Sequence, residues 1–407
     1  MEPDPTTADI RIDRIEALLS GFTRSGEERE IVEILRDATP DDLNEVLSRL
    51  DLERLFAKVD DHLFGTDNFT ALIQLLTMRV GALHLGTKAG VVGALQLGRT
   101  RRAEEELVRA IILATHGGDL SDLKNAIDRS GTHHDLEKLV FSDIDAKDLR
   151  DEILAHIAQE AATIQPRTWK VLSDIDDTVF ARLHDRRYPG RTVYPGVLAF
   201  LDELDRGPGM VPDEAGDLTF VTARPTVIGG FVEGQTRQAL ARAGLPPSAI
   251  LTGSLLALTS HARMAGRKLE MFSRYRVLFP EYDFIFIGDN GQGDAEFGRR
   301  MREMAPEQVA AVFIHDVTGV EGRATTTWEE EGLIFFDTYI GAAIEAWQHG
   351  LITREGVNRV AGAAQEALET IPFRNEEDRA KVISDHDLDL QRAALLPSEP
   401  AAGQEIR

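Results

Sequence analysis

From residue 168 to residue 315, short apolar runs alternate with helical stretches, and this alternation constrains the fold more than any other feature of the chain. The runs TWKVLSDIDDT (168–178), LTFVT (218–222), AILTG (249–253), FIFIGD (284–289) and VAAVFIH (309–315) read as strands. Between them, residues 197–204, 231–243 and 270–279 have helical periodicity. Parallel strands need crossover connections, so strand and helix in alternation predict an α/β fold with a doubly wound parallel sheet of Rossmannoid type. In such sheets the ligand crevice lies outside the carboxyl ends of the strands. The polar residues that close these five runs are therefore the candidate functional residues.

Residues 10–164 have a different texture. Apolar residues recur at three- and four-residue spacing in IDRIEALL, EIVEILRDA, DDLNEVLSRL and LERLFAKV, with few strand signals. Thr39-Pro40-Asp41-Asp42 and Asp51 are helix starts, a capping side chain preceding each periodic run. THGGDLSDLKNAID and THHDLEKLVFSDID look locally alike but share no fixed period with the rest, which leaves a repeat architecture open. Pro166 in Gln165-Pro166-Arg167 breaks the helical pattern. The expected organisation is an all-α N-terminal domain (1–165), an α/β catalytic domain (166–345) and a C-terminal segment (346–407). That last segment reads as one helix, GVNRVAGAAQEALETI, and a mobile polar tail.

A net charge of −24 would repel nucleic acid and anionic membranes at long range unless a local basic patch reverses the field, so no nucleic-acid partner is expected. The absence of cysteine removes disulfides, thiolate metal sites and cysteine nucleophiles. The most apolar long stretch, residues 71–97, is interrupted by Arg79, His84 and Lys88; it reads as a buried helix pair rather than a membrane span, though it is also the best candidate for a membrane contact. The N-terminus MEPDPTTADIRIDRIEALL has acidic residues where a secretory signal would be basic, so a cytoplasmic location is expected.

Four strand ends supply four chemical parts. Asp174-Ile175-Asp176-Asp177-Thr178 leaves an apolar strand directly. A carboxylate can attack phosphorus only if it is held at the substrate with a cation nearby, and a second carboxyl two residues on can protonate the leaving oxygen. Asp174 is thus the candidate nucleophile and Asp176 the acid/base. Thr222 could hold a phosphoryl oxygen with its hydroxyl. Lys268 could neutralise charge on a phosphoaspartyl group. Gly288-Asp289-Asn290-Gly291-Gln292-Gly293-Asp294 presents two more carboxylates on a glycine-laced turn. Mg²⁺ takes a few hard oxygens and retained waters, so Asp174, Asp289 and the Asp176 carbonyl would hold it, with Asp294 orienting the set.

DIDDT, a strand-terminal Thr, a lone Lys and GDNGQGD, in that order, resemble the haloacid dehalogenase superfamily. More narrowly, VLSDIDDTV, YPGVLAFLDEL, RKLEMF and FPEYDFIFIGDNGQGDAEF resemble the App1-type phosphatidate phosphatase catalytic domain over roughly residues 166–320. At the second strand the chain has Val221-Thr222-Ala223-Arg224-Pro225 in place of a Ser-Asn-Ser-Pro-like stretch. The resemblance implies Mg²⁺-dependent hydrolysis of phosphatidate to diacylglycerol and phosphate through an aspartyl-phosphate. Only about 40 residues separate Thr178 from Thr222, and a similar number separate Thr222 from Lys268, which predicts little or no cap over the site. A lipid substrate would make the protein peripheral at membranes.

Each of these features has a plainer reading. An isolated Asp pair after a strand is usually a turn or cap, Lys268 stands near Arg263 and Arg267 in what could be a solvated basic face, and Arg224 either meets a substrate anion or faces solvent. His133, His134 and Asp135, like SDIDAKD at 142–148, suit turn and cap roles better than a metal site. Arg99–Arg102, followed by three glutamates, reads as a self-pairing helix start rather than a lipid contact. Two rivals to the lipid phosphatase remain: the same chemistry on a soluble phosphomonoester or phosphoprotein, and a non-enzymatic protein acting through its helical domain with an unknown protein partner.

Overall fold

The strand that carries DIDDT at its end, β1 (Thr168–Ser173), lies inside a parallel sheet and pairs on both sides. The computed structural model describes residues 6–59, 68–96, 101–129, 136–165, 167–207, 218–225, 249–253, 261–291, 293–318 and 332–397. The other strands are β2 (Leu218–Pro225), β3 (Ala249–Gly253), β4 (Tyr282–Asp289), β5 (Val309–His315) and β6 (Ile334–Phe336). All five pairings are parallel and the order is β3-β2-β1-β4-β5-β6. The chain therefore winds outward from β1 in one direction and from β4 in the other. The crevice where the order reverses lies between the ends of β1 and β4, at Asp174 and Asp289.

Alternation along the strands sends side chains to two covered faces. Ile285 and Ile287 of β4 join Phe200, Leu201, Ile340, Ile344, Val357 and Val360 in one core. Phe284 and Phe286 face the other way; Phe284 meets Phe272 edge-on at 5.3 Å, and Phe286 meets Phe297 at 4.8 Å. Helices Val197–Arg206, Tyr339–Gln348 and Arg354–Thr370 thus cover one face, and His261–Leu278 and Asp294–Met304 the other. The expected helix at 231–243 lies outside the described residues. The three-residue strand β6 is too short to show a period, and sequence patterning does not announce it.

The C-terminal segment differs from expectation. After the helix Arg354–Thr370 comes a second one, Glu376–Ala394, capped by the Asn375 side chain on the Asp378 amide at 2.7 Å. Val382, His386, Asp389 and Ala393 form its buried stripe, and Thr338 donates to Asp389 at 2.7 Å. High charge density on the other faces hides this narrow stripe in the sequence. Where the sequence suggests only a polar tail, residues 376–394 form a helix that contributes Val382 and Ala393 to the core beside the sheet; residues 398–407 lie outside the described residues.

The chain divides into two compact units, Met1–Ile164 with Val277–Pro280, and Gln165–Arg276 with Glu281–Arg407. Residues 6–164 of the first unit are helical wherever elements are described. Thr39 caps its helix on the Asp42 amide at 3.2 Å, with Pro40 in the first turn, and Asp51 accepts from the Arg54 amide at 3.0 Å. The apolar stretch from residue 71 forms the helices Asn68–Arg79 and Leu85–Leu95, whose Leu72, Ile73, Leu76, Val91, Val92 and Leu95 are buried. Its polar interruptions serve the backbone and a buried hydroxyl: Arg79 donates to the Ala38 carbonyl at 2.7 Å and Lys88 to the Thr115 hydroxyl at 2.9 Å. The stretch is core, and no helix among the described residues is long and apolar enough to cross a membrane. Arg102 pairs with Glu106 and Asp148, as a self-pairing helix start would; Arg99 and Thr100 lie outside the described residues.

In the second unit, buried Glu203 receives both a 2.5 Å and a 2.7 Å hydrogen bond from Arg359, joining two helices on one face of the sheet. Arg359→Met should leave that carboxylate without its half-exposed cation and cost about 1 kcal/mol. Glu203→Gln with Arg359→Met should recover most of the loss, because no ionic charge is then left buried at that position. Urea unfolding of the two variants checks this; equal losses would contradict it.

Candidate active site

Four of the expected site residues converge. Asp174 follows β1, Asp289 ends β4, Asp294 starts the helix Asp294–Met304, and Lys268 lies on the helix His261–Leu278. All four are buried. The Lys268 ammonium donates to Asp174 Oδ1 at 2.6 Å and to Asp294 Oδ1 at 2.7 Å. One carboxylate oxygen of each of Asp174, Asp289 and Asp294 lies within 4.8 Å of the others.

The electrostatics of this group are unbalanced. Burial, followed by the Asp294 and Asp174 charges, raises the Asp289 carboxyl well above the ordinary range. Burial also raises Asp174, with Lys268 opposing it and Asp294 adding to it. Burial alone would lower Lys268, but Asp174 and Asp294 outweigh it and hold the ammonium charged. With all three carboxylates ionised, the one ammonium would leave two negative charges uncompensated, and burial together with that repulsion is what raises Asp174 and Asp289. Asp289 Oδ2 and Asp294 Oδ2 are also buried without a hydrogen-bond partner. Buried acceptors lacking donors, beside an excess of two negative charges, fit a hard divalent cation. The acidic cluster can therefore bind a metal through Asp174, Asp289 and Asp294.

Glycine makes the cluster possible at two positions. A Cβ at Gly288 would come within 2.6 Å of the Asp294 carboxylate, and one at Gly291 within 2.6 Å of His184 Nδ1 and 2.8 Å of Asp289 Oδ1. The Gly291 amide donates to Asp289 Oδ1 at 2.6 Å. Asn290 ties the turn to the end of β5, donating to Asp316 Oδ1 at 2.8 Å and accepting from the Val317 amide at 3.0 Å.

The remaining candidates stand differently. Asp176 does not share the carboxylate cluster; its side chain takes 2.9 and 3.1 Å hydrogen bonds from Arg182. Thr222 is near the end of β2, its backbone in register with Thr252 of β3, while its side chain and that of Arg224 lie outside the described residues. Gln292, His133, His134 and Asp135 are outside them too. Residues 144–146 link the helical turn Leu139–Asp143 to the helix Lys147–Ala161, and the Asp145 and Ala146 amides donate to Glu105.

Sequence reasoning missed Asp177, which organises the region after β1. It has a left-handed φ of 60°, a conformation that Asp tolerates better than most residues. Its fully buried carboxylate accepts from the amides of Arg182, Leu183 and His184 at 2.7 to 3.1 Å and from His184 Nδ1 at 3.0 Å. The main-chain carbonyl of Asp177 accepts from buried His315 Nδ1 at 3.1 Å, and that of Thr178 from Tyr339 at 2.6 Å. Burial lowers His315 to about 4, so it serves as a neutral donor. Residues 179–181 and 192–194 then pair through Ala181–Thr192 and Tyr194–Val179 backbone bonds, making a short flap with 182–191 at its tip. An Asp three residues past a strand-end Asp gives no sequence signal that separates anchor from chemistry.

Asp177→Asn turns one carboxylate oxygen into a donor facing donors and should loosen the flap at a cost of about 2 kcal/mol. Faster amide hydrogen exchange at 182–184, with the sheet core unchanged, is the expected result. Unchanged exchange there would remove the anchor role.

Residues 169–316, a little over a third of the chain, match the family model described as "Phosphatidate phosphatase APP1, catalytic domain". No curated protein matches the chain. The matched span contains Asp174, Asp176, Asp177, Lys268, Asp289 and Asp294, and it makes this region the catalytic domain of an enzyme, a phosphatase.

Proposed function

We propose that the protein is a Mg²⁺-dependent phosphomonoester hydrolase of haloacid dehalogenase type, acting on phosphatidate through an aspartyl-phosphate. The observation that carries this reading is the Lys268-bridged carboxylate cluster lying within the span matched to the phosphatidate phosphatase domain. The outward winding from β1 and β4 and the short flap after β1 support a doubly wound, lightly capped member of that superfamily.

In this reading an Asp174 oxygen attacks phosphorus and the bond to the diacylglycerol oxygen breaks. Asp176 gives its proton to that leaving oxygen. Asp176 then takes a proton from water as the water oxygen attacks the same phosphorus. The bond to Asp174 breaks, releasing phosphate and restoring the carboxylate. Mg²⁺ held by Asp174, Asp289 and Asp294 would supply positive charge that lets an anionic nucleophile approach an anionic ester. Lys268 opposes the burial that raises Asp174 and aims its carboxylate. The half-exposed Arg182 side chain occupies the Asp176 carboxylate, so it must leave Asp176 before the acid step, and it can turn toward the substrate anion as it does so. Thr222 at the end of β2 would bind a phosphoryl oxygen. The helical region 1–165 is assigned to docking or regulation, and the location to the cytoplasm.

Asp174→Asn should reduce turnover about 1000-fold or more with the fold intact, because the amide is nearly isosteric but cannot attack phosphorus. Asp176→Asn should lose far less on a chromogenic ester with a good leaving group than on phosphatidate. Equal losses on both substrates would count against the acid/base role.

Activity should require Mg²⁺, and Ca²⁺ should support only a small fraction of it, since its larger shell would draw both Asp174 oxygens into coordination. Phosphate release from phosphatidate in mixed micelles, compared with soluble phosphomonoesters and with each cation, is the deciding assay. No release from phosphatidate beside efficient turnover of a soluble ester would move the substrate to the soluble class.

A further inference from the structure

The chain carries a net charge of −24, yet the tip of its active-site flap is basic. Residues 180–191 read FARLHDRRYPGR, with four arginines and one acid. Asp185 is spent internally: Arg187 grips it at 3.0 and 2.9 Å and reaches the Asp316 carbonyl at 3.0 Å, fastening the flap to the end of β5. Arg186 and Arg191 are exposed, and Leu183 is 55% exposed although large and apolar. The loop holding these side chains is fixed, because Asp177 takes the amides of 182–184 and the His184 ring lies against Gly291 in the metal-site turn. A leucine more than half exposed is thus displayed between arginines, on a backbone anchored beside the carboxylate cluster.

We propose that this flap tip docks the enzyme on an anionic lipid surface, with Leu183 entering the acyl boundary and Arg186 and Arg191 meeting headgroup phosphates. The inference rests on the lipid-phosphatase reading and adds the contact surface to it. Charge complementarity selects the occupant: with Arg182 paired to Asp176 and Arg187 to Asp185, the exposed Arg186 and Arg191 form a local positive field on an otherwise acidic chain, which an anionic bilayer matches. An exposed leucine flanked by cations suits an interface with an apolar layer beneath a charged one. The placement also brings the lipid headgroup to the carboxylate cluster without a large cap. The apolar stretch at 71–96, which otherwise offered a membrane contact, is committed to the helical core.

The test uses the full chain and vesicles of phosphatidylcholine, alone or mixed with phosphatidylglycerol, a diester that the proposed chemistry does not consume. Wild type should co-sediment with the anionic vesicles and lose that binding at high salt. Arg186→Gln and Arg191→Gln should each weaken binding about fivefold, and Leu183→Ser about tenfold. All three should keep wild-type turnover of a soluble chromogenic phosphate and an unchanged melting temperature. Wild-type protein that ignores anionic vesicles, variants that bind as wild type does, or variants that lose soluble turnover would each overturn the proposal. Binding that is shared equally with soluble polyphosphate and insensitive to Leu183→Ser would also overturn it. Vesicle binding lost in the variants, combined with no hydrolysis of phosphatidate, would support the docking surface while removing the lipid-substrate reading.

Discussion

The catalytic domain depends on one arrangement: three buried carboxylates gathered around a single ammonium. Like charges at this separation in a poorly solvated site repel strongly, and Lys268 offsets only part of that repulsion through its 2.6 and 2.7 Å bonds. The carboxylates sit on three elements, after β1, at the end of β4 and at the start of the following helix, so their mutual repulsion acts across the reversal point of the sheet. The hydrophobic core beneath must hold those elements together against it. Strands β1 and β4 are buried along their inner lengths and pair over six residues, which is the rigidity such a site demands.

The flap extends the same logic. Asp177, close in sequence to Asp174 and Asp176, has an environment unlike theirs: its charge is met by three amides and an imidazole. One Asp-rich pentapeptide therefore supplies a carboxylate bridged by Lys268 to a like charge, another paired with Arg182, and a third saturated with donors. Residue type is shared, and environment alone separates the roles. Asp174 and Asp289 are raised by burial and their neighbours, as expected where a cation is to be recruited.

This explains what could be read in the sequence. Strand ends were legible because apolar runs of five to eight residues stop abruptly at carboxylates or Thr, and a parallel sheet places those ends together. Asp174, Lys268, Asp289 and Asp294 do come together. The partnership of Asp176 with Arg182 and the anchoring by Asp177 were not legible, because both depend on a left-handed turn at Asp177 that no residue pattern announces. The helix Glu376–Ala394 was obscured by its own charge, and β6 by its length. Long-range docking onto an existing core decides both, and local periodicity does not record it.

The contrast between global and local charge carries the last step. Long-range repulsion from an anionic surface falls off within a Debye length of about 8 Å at physiological salt, whereas a contact made by a loop tip acts inside that distance. An acidic chain and a basic flap tip are therefore compatible, and the local contact favours approach of the flap to a negative surface. Because the flap backbone is bonded to Asp177 and its Arg187 to the Asp316 carbonyl, that contact is transmitted rigidly to the crevice between β1 and β4. A contact of this kind would raise the frequency of productive encounters with a surface-bound phosphomonoester without adding any group to the carboxylate cluster.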